Sequence, residues 1–162
     1  MNRSITPGAF LLILTAFTSH AAFADELLER LENATEKLGK NQGQFYASRV
    51  PELKDKMPSW DWDDEIRQAS KCVLDGIATQ KGQRVAEAYV SGIERDAEKT
   101  ITSFAQLSDS SSMPPELLGE DQTILNLMNK CRTMEISAVR LKESGFWDEM
   151  LKPEVMQKLQ AD

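Results

Sequence analysis

The chemistry open to this chain rests on two cysteines, Cys72 and Cys131, and on acids gathered at two places. Each cysteine stands alone, without the Cys-x-x-Cys spacing of a thiol oxidoreductase. In an oxidising compartment, an even pair far apart in sequence reads as a single structural disulfide. Such a bond closes a loop of about 60 residues and removes unfolded-state entropy worth ~4 kcal/mol. That is a large share of the ~5–15 kcal/mol by which a domain is stable. Both cysteines are expected on or beside the apolar stripe of their helices, where an interhelix staple belongs.

Among the acids, Asp61, Asp63 and Glu65 alternate like the opening of a calcium loop. The glycine needed at its sixth place is Ile66 and the bidentate acid needed at its twelfth is Cys72, so no calcium or other metal is expected. Capping of a following helix by Asp61 or Asp63 is the better account. Glu94, Asp96 and Glu98 could suggest the paired carboxylates of a hydrolase. Helix positions two apart point about 200° away from each other, and Arg95 and Lys99 are interleaved, so a solvated ionic face is expected. Asn33-Ala34-Thr35 fits a glycosylation acceptor but falls inside a helix.

The one histidine, His20, lies in the N-terminal segment whose removal is expected. Without it the chain has no imidazole base, no Ser–His–Asp or Cys–His pair and no usual zinc ligand set. A carboxylate-based hydrolase would need acids from different helices to converge in a cleft, and is kept as an alternative. The leading expectation is a protein that is not an enzyme and takes no cofactor.

The elements that would carry these residues begin with an export signal. Arg3 is followed by an apolar run over residues 9–17 and by Ala22-Phe23-Ala24, the small-residue ending that signal peptidase accepts. The run is shorter than the ~20 residues that cross a bilayer, and Asp25-Glu26 follow at once, so cleavage before Asp25 is expected, with no stable membrane insertion. Residues 1–24 are read as the signal peptide and 25–162 as one domain. Losing Arg3 takes the net charge from −7 to −8, and no basic run is present, which disfavours nucleic acid and anionic lipid surfaces as partners.

Apolar residues recur at three and four positions, and no alternating β-branched run occurs, so the fold is expected to be all-α, a bundle of about five helices. The first is expected over residues 26–38, ended by Gly39. A second, short one is expected over 44–57, divided or bent by Pro51. The third follows Asp61–Asp64. The fourth, over 83–107, is expected to be the longest, before a serine loop at 108–115. The fifth is expected over 121–143, stopped by Gly145, with a C-terminal segment beyond it.

Two surfaces are candidates for binding. Trp60 and Trp62, with Asp61, Asp63 and Asp64 around them, have the composition of a partner-binding hot spot on a connector, or else pack as a satellite cluster over the start of the third helix. Phe146, Trp147, Met150 and Met156 form a candidate apolar patch. The expectation for function is an exported binding protein of the envelope or extracellular space. It acts as an adaptor or as an inhibitor or immunity protein on another envelope or secreted protein, with an apolar-ligand carrier as the alternative.

Overall fold

The computed structural model describes residues 17–108, 112–119 and 122–161. Arg3 and most of the apolar run at 9–17 lie outside these residues, as do the middle of the serine loop and the start at Asp121. Every regular element among the described residues is helical. The chain forms an all-α bundle with one interhelix disulfide. No helix among them is long and apolar enough to cross a membrane.

The longest helix is α1, Phe17–Arg49, which passes through the expected stop at Gly39 and on through Gly43. Glycine costs a helix interior about 1 kcal/mol relative to alanine. Tertiary contact overrides that cost here, because both glycines leave room for a side chain of the next segment. Pro51 ends α1, since the residue before a proline is pushed out of helical geometry: Val50 has φ −134° and ψ 89°. A 3₁₀ turn, Pro51–Lys56, follows in place of the expected second α-helix.

Asp63 caps α2, Asp64–Lys81, by accepting from the Ile66 amide at 2.9 Å. Gly76 sits inside α2. A Cβ there would run into Leu127 Cδ2, so its bareness lets α2 and α4 approach closely. Gly82 turns the chain into α3, Gln83–Ala97, which stops well short of residue 107. Asn41 of α1 donates to the carbonyl of Ala97 at 2.8 Å and takes over a helix-end acceptor. The β-branched run Thr100-Ile101-Thr102 then leaves the helix. Ile101, Phe104 and Leu107 keep a helical spacing, but they pack half-buried against the core from a loop and a 3₁₀ turn, Phe104–Ser108.

The expected fifth helix is two, α4 (Thr123–Lys130) and α5 (Thr133–Glu143), broken at Cys131-Arg132. Arg132 is left-handed, with φ 63°. No glycine or proline marks that break in the sequence. Gly145 then separates α5 from α6, Phe146–Met150, and α7, Pro153–Gln160, ends the described chain. Cys72 of α2 is bonded to Cys131 at the end of α4, with Cα atoms 5.7 Å apart. Only Cys131 is buried; Cys72 lies exposed beside the stripe, so the staple runs along the edge of the core.

Two apolar clusters share α1. Its N-terminal half, with Leu27 and Leu31, packs with Val73 and Ile77 of α2, Val90 of α3 and Leu127 of α4. Its C-terminal half, with Phe45, packs with Val50, Leu53, Phe146 of α6 and Val155 and Leu159 of α7. The disulfide belongs to the first cluster. Replacing Cys72 and Cys131 together by alanine is therefore expected to lower the thermal midpoint by roughly 10 °C or more. A midpoint unchanged in differential scanning calorimetry would contradict the stapling role.

Candidate binding cleft

Between the two clusters the helices do not close on each other. They leave a cleft of about 470 Å³, within the range of small-molecule sites. One wall is the face of α1 that carries Leu31, Thr35, Leu38, Gly39, Gln42 and Tyr46, residues spaced so that they stack on one side of a helix. The facing wall is α5, through Thr133, Ile136, Ser137, Arg140 and Leu141, again one side of a helix. α2 and α3 supply the floor, through Ala69, Ser70, Val73 and Tyr89. α6 closes one end with Phe146, Trp147 and Met150.

The connector at residues 57–63 runs along the rim as a strap. Trp60 lays its indole on α1: a Cβ at Gly39 would lie 2.5 Å from Trp60 Cε3, and one at Gly43 would lie 3.3 Å from its Nε1. The Trp62 amide donates to Glu36 Oε1 at 2.9 Å, and its side chain packs against the first cluster. From the other side, Arg140 of α5 donates to the Asp61 carbonyl at 3.1 Å and pairs with Asp63. Lys40 of α1 pairs with Asp61 at 3.4 Å. The cap bond from Ile66, aided by Arg140, holds the Asp63 carboxyl below the usual carboxylate range.

The structure thus brings the two sequence candidates into one place. Trp60 and Trp62 line the cleft from the strap, while Phe146, Trp147 and Met150 line it from α6. Neither strap indole is broadly exposed, whereas Trp147 is 52 % exposed at the rim. Met156 is half-buried on α7 and is not part of the lining. Asp64 sits exposed in the first turn of α2, turned to solvent with the other strap acids and not to the cleft. All three tryptophans of the chain line the cleft. Sequence reasoning missed the walls, since the inward residues of α1 and α5 read as ordinary core stripe. It also missed Tyr89 and Ser70, which carry no motif.

The cleft is mostly hydrocarbon, and some of its polar groups are committed. Thr35 Oγ1 donates to the Leu31 carbonyl at 2.8 Å, and Thr133 Oγ1 to the Met128 carbonyl at 3.2 Å. Tyr46 stacks edge-on with Phe146, their ring centroids 5.2 Å apart. Burial pushes the Tyr46 phenol up and the Tyr89 phenol up to about 12, so both stay protonated at neutral pH.

The other acids sit elsewhere and fan apart. Glu94 pairs with Arg30 at 2.8 Å and is held below its usual range by it, with Glu87 on the same guanidinium at 2.6 Å. Asp96 pairs with Lys99 at 2.7 Å, and Glu98 with Lys37 at 2.6 Å. Among the described residues, no three His, Cys, Asp or Glu side chains are grouped to hold a metal ion.

No family model matches the sequence, and no curated protein or solved structure matches it either. The Trp60 seat has a signature in mutation. Gly39→Ala in the native chain is expected to destabilise by about 1–3 kcal/mol, because the methyl overlaps the indole. In a Trp60→Ala background the same change is expected to stabilise by up to about 1 kcal/mol, the ordinary helix-interior gain. A gain in both backgrounds, read from urea unfolding, would mean that the indole does not rest there.

Proposed function

We propose that this chain is an exported, non-catalytic binding protein whose cleft takes an apolar ligand. The observation that carries the proposal is the cleft itself: a space of about 470 Å³, walled by one face each of α1 and α5, with both aromatic groups gathered on it. A stable bundle ordinarily closes such faces against each other, since each buried methylene is worth about 0.8 kcal/mol. Faces left apolar and apart suit an occupant that supplies the missing contact. Export is supported by the N-terminal segment that ends Ala22-Phe23-Ala24 and by the Cys72–Cys131 disulfide.

A second reading keeps another envelope or secreted protein as the occupant, inserting apolar side chains from outside as an adaptor's or inhibitor's target would. It is favoured by Trp147 and Leu151, which stand exposed together beside the α6 end.

The experiment is a titration of the disulfide-bonded protein with N-phenyl-1-naphthylamine, a neutral probe that brightens in apolar surroundings. Saturable binding of one probe per chain is expected, with tryptophan emission quenched in step. Ser137→Trp, an exposed wall position, is expected to weaken binding tenfold or more by filling the mouth. No saturable binding, or full binding by Ser137→Trp, would contradict the proposal.

A further inference from the structure

Two hydroxyls in the floor of the cleft narrow the ligand. Ser70 of α2 is buried at 8 % exposure, and Tyr89 of α3 is packed among the first cluster. Among the described residues no hydrogen bond engages either hydroxyl. Yet among the described residues every side-chain nitrogen or oxygen sealed from solvent has a partner. The two hydroxyls are therefore not sealed, and both residues line the cleft. An occupant that displaced water from them without offering an acceptor would forfeit about 1–3 kcal/mol, so the ligand that fits best brings one.

Charge narrows it again. The one cation on the wall is Arg140, and it is already committed to Asp63 and the Asp61 carbonyl. The whole chain is acidic and the lining offers no uncommitted cation, so an anionic head would find no free counter-charge. A cation would have to leave water to reach a floor that holds hydroxyls and no carboxylate. What remains is neutral and accepts hydrogen bonds. The Tyr89 phenol, kept protonated by its burial, is a donor there throughout the physiological range.

Resting on the reading of the cleft as an apolar-ligand site, we infer that its ligand is an uncharged lipid with a carbonyl oxygen, an ester or amide flanked by hydrocarbon. The carbonyl accepts from Tyr89 and Ser70 in the floor, and the chain lies between the walls of α1 and α5.

The test displaces N-phenyl-1-naphthylamine from the native protein with a matched series: dodecane, methyl dodecanoate, dodecanoate and dodecylammonium. Methyl dodecanoate is expected to displace the probe at about tenfold lower concentration than dodecane, with both ions weaker than the ester. Tyr89→Phe with Ser70→Ala is expected to abolish the preference of ester over alkane. Its far-ultraviolet circular dichroism and thermal midpoint verify the fold, and Tyr89→Phe alone, which removes a single oxygen, is expected to lose part of that preference. Equal displacement by ester and alkane in the native protein would overturn the inference while leaving the apolar cleft standing. So would stronger displacement by either ion, or a preference that survives in both variants. Failure of the probe itself to bind would overturn the cleft reading and this inference together.

Discussion

The Trp60 indole resting on the bare backbone of Gly39 and Gly43 is the contact on which the architecture around the cleft depends. Two glycines in a helix interior cost α1 local stability, and only an atom-close neighbour makes them useful. The indole brings the strap down onto α1 and fixes where the chain enters α2. From there the Asp63 cap sets the start of α2, and Arg140 ties the strap to α5. Placement of the rim, and so the width of the cleft, follows from one aromatic ring and two missing methyl groups.

The cleft exists because α5 stands off α1. Its principal packing is against α2, α4 and α6, and Ile136 is its buried anchor. Its lining residues are spent on the cleft, while Met134 and Val139 are exposed and outside the lining. The left-handed turn at Arg132 makes this possible, since a continuous helix from residue 123 to 143 could not swing away from α4. The disulfide ends at that same corner, at Cys131, and keeps α4 fixed against α2 while α5 departs. Cys72–Cys131 thus steadies the cleft from the outside without touching what it holds.

The class of fold was legible from periodicity, and so was the cysteine pairing, because two cysteines allow a single bond. Helix limits were less so. Gly39 looks like a stop to any local rule, and only the arrival of Trp60 from a distant turn explains why the helix continues. Ile101 and Phe104 hold helical spacing but reach the core from a non-helical chain, so spacing alone extended α3 too far. At Arg132 no residue type announces the break. The candidate site was legible in halves: Trp60 with Trp62, and Phe146 with Trp147 and Met150, were visible as aromatic groups. Their meeting depends on α1 being long enough to reach both, a fact of tertiary structure. Tyr89 and Ser70 were invisible, for a hydroxyl matters here through the partner it lacks.

The central claim is that the space between α1 and α5 holds a ligand and that Met134 and Val139, exposed on α5 outside the lining, do not touch it. Methyl-resolved nuclear magnetic resonance of the protein with methyl dodecanoate tests it most directly. The account predicts intermolecular Overhauser contacts from the ligand chain to Leu31, Val73, Met128 and Ile136, with none to Met134 or Val139. Contacts confined to Met134 and Val139, or shifts spread evenly over both faces, would contradict it.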